Sequence, residues 1–135
     1  MPVNLEIVSP ERLLLSRPVD MVVIPAAEGE IGVLPQHAPM IVMLRGGTIR
    51  LYENSQVVDR LFVTGGFAEI TTTRVTVLAT EATPIVSVSR AEGEARLAAA
   101  QAAYDQADKT DVAALDAIMD RLQSARAMIE AAQEG

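Results

Sequence analysis

The sequence contains no cysteine and no tryptophan, one histidine, two phenylalanines and two tyrosines in 135 residues. Without cysteine there is no disulfide, no thiolate nucleophile and no cysteine-ligated zinc, a composition that suits a reducing compartment. With so few aromatics, the core has to be assembled from Val, Ile, Leu, Met and Ala. No apolar run approaches the roughly 20 residues needed to span a bilayer. Residues 1–10 carry no basic leader, no long apolar stretch and no Arg- and Ser-rich transit character. The expectation is a soluble, unexported protein. Cations are also scarce: 11 Lys and Arg against 18 Asp and Glu leave a net charge of −7. A nucleic-acid binder needs clustered cations to displace counterions from phosphate, and no such cluster is present.

Catalytic constellations are missing too. The one histidine, His37, sits in Pro35-Gln36-His37-Ala38-Pro39, so any nucleophile–base arrangement would have to be built around it. A histidine bracketed by prolines reads as a structural, hydrogen-bonded turn residue. Glu28 and Glu30 lie nearby but do not make a metal-ligand spacing, and no metal is expected. There is no G-x-x-x-x-G-K-[ST] and no G-x-G-x-x-G opening a helix. Gly46-Gly47 and Gly65-Gly66 read as turn glycines.

What is present divides near Pro84. Before it the chain is rich in Val, Ile and Thr and punctuated by Gly and Pro; after it Ala dominates. Short alternating runs predict strands over 3–8, 11–15, 20–24, 32–34, 40–44, 48–52, 57–63, 67–71 and 74–79. The intervals are too short for crossover helices, which argues against parallel pairing. The expected architecture is an antiparallel β-sandwich over residues 1–84, followed by an antiparallel two-helix hairpin over 85–135.

In the second part, Ser89-Arg90-Ala91-Glu92 has the pattern of a capping box, opening a helix over 90–107 that Gly93 weakens. Asp108-Lys109-Thr110 interrupts it, and Thr110 is a candidate cap for a second helix. There Val112, Leu115, Ile118, Met119, Leu122, Ala125 and Ile129 form one apolar stripe. The stripe is thin, and the Ala face of the first helix permits close approach. Weak docking and a conformational switch are both compatible with this pattern.

The stretch Glu28-Gly29-Glu30-Ile31-Gly32-Val33-Leu34-Pro35-Gln36-His37-Ala38-Pro39 closely resembles the E-G-E-[IL]-G-[IVL]-x-P-x-H-A-P segment of F-type ATP synthase epsilon subunits. Leu44-Arg45-Gly46-Gly47-Thr48-Ile49-Arg50, Val63-Thr64-Gly65-Gly66-Phe67-Ala68-Glu69-Ile70 and Val8-Ser9-Pro10-Glu11 fall where that family has similar pieces. The resemblance implies a non-catalytic rotor subunit of the central stalk, coupling proton transport to ATP synthesis. Its implied partners are the gamma subunit, the c-subunit ring, and the alpha and beta subunits of the catalytic head. Its implied place is the cytoplasmic face of the bacterial inner membrane. A free-standing nucleotide-sensing β-sandwich is the alternative.

The resemblance also assigns residues. Glu28, Gly29, Glu30, Ile31 and Gly32 match the family's contact with the c ring, with Glu30 at the acidic position. Pro35, His37 and Pro39 are read as holding the shape of that loop. Some family members bind ATP through [IL]-D-x-x-R-A at the start of the first helix. The corresponding candidates are Glu81, Ser87 and Arg90, but Ser87 replaces the aspartate and Leu97 stands where a further arginine is expected, with Arg96 beside it. No cofactor is expected, and ATP binding should be weak. The resemblance further implies that the hairpin can extend toward the catalytic head and regulate ATP hydrolysis; strongly inhibitory members carry several basic residues on the second helix, and this chain offers Arg121 and Arg126 as candidate contacts to the catalytic subunits.

Overall fold

A computed structural model describes residues 2–134; Met1 and Gly135, the ends of the two expected segments, lie outside the described residues. The strands are β1 (Val3–Val8), β2 (Leu13–Val19), β3 (Met21–Ala26), β4 (Gly29–Val33), β5 (Met40–Leu44), β6 (Gly47–Glu53), β7 (Gln56–Val63), β8 (Gly66–Ile70), β9 (Arg74–Leu78) and β10 (Ala82–Pro84). A turn of 3-10 helix, Ile85–Ser87, leads into α1 (Arg90–Gln106) and α2 (Val112–Glu134).

The strand order is β10-β7-β6-β3-β5-β8-β9-β1-β2, with β4 paired to β3. Its two halves meet through one residue pair, Ala26 with Leu44, and face each other as a sandwich. Alternation explains the core. Val3, Leu5 and Ile7 on β1 are fully buried, as are Val22 and Ile24 on β3, Ile49 and Leu51 on β6, and Val75 and Val77 on β9. The far end is tied by Arg17 on β2, which reaches Glu53 at 3.2 Å and Asp59 at 4.0 Å.

Four features depart from the sequence reading, the first being that the strand expected over 32–34 begins already at Gly29 and ends at Val33. The strand expected over 11–15 runs from Leu13 to Val19 and passes through Pro18. β2 ends the strand order, so the N–H that Pro18 lacks is not needed by a neighbour on both sides. β1 pairs with β9 in parallel, Asn4 opposite Arg74 through Val8 opposite Leu78. No crossover helix is needed, because β2 to β8 themselves make the connection. The short β10 and the 3-10 turn span three residues each, too few to show a period. The turn at Asn54-Ser55 does follow from the sequence. Both residues have positive φ, 53° and 64°, as a two-residue hairpin turn of type I′ requires.

The helices also differ in detail. Ser89 Oγ accepts from the Glu92 amide at 3.1 Å, but the Glu92 carboxylate accepts from Arg96 Nε at 3.0 Å instead of completing the capping box. A guanidinium one turn away is the stronger donor. The cap of α2 is Asp111, whose Oδ1 accepts from the Ala114 amide at 3.2 Å. Thr110, the expected cap, donates its hydroxyl to Asp108 at 2.7 Å. That bond and the Thr110 amide hold the Asp108 carboxyl below its ordinary range. Lys109 donates to the carbonyls of Tyr104 and Ala107 at the end of α1 and lies over the Tyr104 ring.

The predicted stripe on α2 is buried only in its second half. Leu122 and Ala125 are joined there by Met128 and Ala131, which the stripe omits, whereas Val112 and Met119 are 68% and 49% exposed. The reason is reach: only the second half of α2 lies on the sandwich, where Met128 and Ala131 pack with Phe62 and Ile85. Gly93 is buried between the helices. A Cβ there would sit 2.9 Å from Ile129 Cγ1, so the glycine that weakens α1 also lets α2 approach it.

Gly46 plays the same part between hairpin and sandwich. An added Cβ would meet the Ser124 backbone Cα at 2.6 Å. Gly46 is therefore a contact glycine, beyond its reading as a turn residue. Gly46→Ala should push α2 off the sandwich at a cost of about 1–3 kcal/mol. Trypsin cleavage after Arg121 and Arg126 should accelerate while the β1 amides keep their hydrogen-exchange protection. Unchanged cleavage would contradict this.

Candidate functional site

Two regions carry the chemistry that the sequence singles out: the turn after β3 and the seam between hairpin and sandwich. The first is a tight hairpin. Ala26 pairs with Gly29 across the two-residue turn Ala27-Glu28, and Glu30 and Ile31 already lie on β4. Glu28 and Glu30 are exposed and Ile31 is half-buried. Glu30 is not a free loop carboxylate. Its Oε2 accepts from Arg50 Nη1 at 2.9 Å.

Pro35, His37 and Pro39 shape the next connection, from β4 to β5, rather than this turn. The His37 amide donates to the Leu34 carbonyl at 3.2 Å, with Pro35 and a left-handed Gln36, φ 70°, between them. Those are the positions a type II turn assigns to proline and to positive φ. The Gln36 amide fixes the turn to the Thr72 carbonyl at 2.7 Å. His37 Nδ1 lies 2.7 Å from the Ala38 carbonyl. A carbonyl only accepts, so this nitrogen carries the proton.

At the seam, a primary amide reads the backbone. The Gly46 amide donates to Gln123 Oε1 at 2.8 Å, and Gln123 Nε2 donates back to the Gly46 carbonyl at 2.7 Å. Next to it Ser124 Oγ donates to the Thr64 carbonyl at 3.0 Å. At the end of α2, Glu134 accepts from Arg50 Nη2 at 3.0 Å and from the buried Thr48 hydroxyl at 3.4 Å. On the other side of α2, both Glu81 carboxylate oxygens accept from Arg96, each at 2.9 Å. These bonds hold the Glu81 carboxyl below its ordinary range and push Arg96 further up.

The nucleotide candidates are not brought together. Glu81 lines a cleft of about 380 Å³ with Arg96, Asp120, Arg121 and Ser124, while Ser87 and Arg90 are not among its walls. Ser87 is exposed in the 3-10 turn, and Arg90 is paired with Glu94 at 3.0 Å. Arg121 and Arg126 are exposed and border the two clefts that flank α2. Sequence reasoning missed Gln123, Ser124, Arg50 and Glu134 altogether. A polar side chain carries no local sign of a partner 20 to 84 residues away.

A third surface comes from register. Met43, Phe67 and Leu78 stand opposite one another on β5, β8 and β9 and are 61%, 46% and 43% exposed. Ile41, two residues before Met43, extends the stripe.

The described residues thus form a β-sandwich with a latched helical hairpin and an apolar outer stripe. The family model described as the ATP synthase, Delta/Epsilon chain, beta-sandwich domain matches residues 2–85. The chain is 68% identical over 130 residues to the ATP synthase epsilon chain of Granulibacter bethesdensis, covering 96% of each. It is 52% identical over 132 residues to that of Gluconacetobacter diazotrophicus, covering 98% of this chain and 94% of that one. Its fold matches a chain of the Euglena gracilis mitochondrial ATP synthase OSCP/F1/c-ring structure with a TM-score of 0.77, at 23% identity over 96% of this chain and 81% of the other. The chain belongs to the ATP synthase delta/epsilon family, as a relative of its bacterial epsilon chains.

The Glu81–Arg96 pair sets a pH dependence. A carboxyl whose folded value is depressed stabilises the protein above the usual glutamate range and loses that contribution as pH falls through the folded value. Wild type should exceed Glu81→Gln in stability by up to about 1 kcal/mol near neutrality, the half-exposed pair being screened by solvent. Denaturant titrations from neutrality down to acid should show the gap closing only below the usual glutamate range. A gap independent of pH would contradict this.

Proposed function

We propose that the chain is the non-catalytic epsilon subunit of the central stalk of a bacterial F-type ATP synthase, coupling proton translocation to ATP synthesis. The observation that carries this is the near full-length match to epsilon chains, at 68% identity. Residues 1–84 are the docking unit and 85–135 the regulatory hairpin. The subunit sits peripherally at the cytoplasmic face of the membrane. No helix among the described residues is long and apolar enough to cross a membrane, which fits attachment through partners.

The gamma subunit packs on the Ile41, Met43, Phe67 and Leu78 stripe, because four exposed apolar side chains on adjoining strands favour burial. The c ring meets the β3–β4 turn, where Glu28 and Glu30 present carboxylates to a basic polar loop. The hairpin meets the alpha and beta subunits when it leaves the sandwich, with Arg121 and Arg126 as its cations. ATP binds weakly, because Arg96 is held by Glu81 and Glu92 and the remaining candidates are dispersed.

Co-purification with gamma tests this reading. The full chain should retain gamma, and Phe67→Glu should weaken the complex by roughly tenfold or more, since it strands a charge in an apolar contact. Equal retention would remove gamma from this face. Glu30→Lys should lower proton-driven ATP synthesis in membrane vesicles without unfolding the subunit; unchanged synthesis with normal assembly would count against the ring contact.

A further inference from the structure

Arg50 on β6 faces two carboxylates that belong to different functional elements. Nη1 donates to Glu30 beside the β3–β4 turn at 2.9 Å, and Nη2 donates to Glu134 at the end of α2 at 3.0 Å. The guanidinium side chain is 27% exposed, the most enclosed of the three. Its groove between α2 and the sheet encloses about 560 Å³, and Arg45, Arg126 and Glu130 complete the charges along its walls. Neither carboxylate has the two-pronged hold that Arg96 has on Glu81.

A planar guanidinium can grip one carboxylate with both prongs, and two like charges drawn to one cation repel each other. Glu30 and Glu134 therefore compete. When Glu30 finds another cation, Arg50 can swing both prongs to Glu134 and the repulsion between the carboxylates falls. Both changes act in the same direction, holding the end of α2 more firmly on the sandwich.

We propose that Arg50 is a shared counter-charge that links the β3–β4 turn to the hairpin: a basic partner surface that takes Glu30 tightens the docked hairpin. Coupling between two sites is reciprocal, so the docked hairpin also frees Glu30 for that partner. The subunit then holds its hairpin down most firmly while its turn is engaged. This consequence rests on the reading that the turn meets a basic surface; the charge relay itself does not.

The Gly46 amide reports docking, because its hydrogen bond goes to Gln123 on α2. Its hydrogen-exchange rate should be measured by NMR in the full chain. Glu30→Gln should slow exchange about two- to fivefold, the scale of one exposed ion pair. Arg50→Gln should speed it, and in the Arg50→Gln background Glu30→Gln should lose most of its effect, because only the direct repulsion between the two carboxylates remains. If Arg50→Gln disturbs the sandwich, seen as lost protection of β1 amides, Glu134→Gln takes its place and should abolish the Glu30 effect, since the ion pair and the repulsion both lose their second carboxylate. No effect of Glu30→Gln, faster exchange, or the same effect in both backgrounds would overturn the relay. That failure would leave the ring contact standing, since the vesicle assay of Glu30→Lys judges it separately.

Discussion

The arrangement depends on one close approach. Helix α2 crosses the sandwich where Gly46 has no side chain, with the Ser124 backbone occupying the space a Cβ would need. Only at that separation can the Gln123 amide exchange two hydrogen bonds with the Gly46 backbone. The other seam contacts follow from it in order along α2: Ser124 to Thr64, Met128 and Ala131 to Phe62 and Ile85, and Glu134 to Arg50.

The seam combines a small apolar cluster with several polar contacts. The apolar share is a small cluster around Phe62, while the sandwich core of Val, Ile and Leu is continuous and separate. Polar contacts carry much of the docking, and each hydrogen bond is worth only about 0.5–1.5 kcal/mol net. Such a hairpin sits firmly yet can be released at modest cost, and its ion pairs respond to salt and to competing charges.

The fold was legible where a period exists. Val3, Leu5 and Ile7, the Asn54-Ser55 turn and the Ser89 cap all follow from local sequence. The parallel β1–β9 ladder was not, because pairing between strands about 70 residues apart has no local signature. The second half of α2 was only partly legible: periodicity found Leu122 and Ala125, but the choice of Met128 over Val112 depends on where the sandwich ends. Gly93 read as a weak point and Gly46 as a turn; both are contact positions, visible only once the opposing helix is placed. Glu30 stood out through its motif, yet its partner Arg50 lies 20 residues away and Glu134 a further 84 beyond that arginine.

The Gln123 clamp on Gly46 holds the hairpin on the sandwich. The most direct test is a distance measurement in the full chain. The absence of native cysteine allows spin labels at two introduced ones, Glu69→Cys on β8 and Ala117→Cys on α2, read by pulsed electron spin resonance. The unmutated background should give one narrow distance distribution, and Gln123→Ala should add a second, longer population. A single unchanged distribution in Gln123→Ala, or a broad one already in the unmutated background, would contradict it.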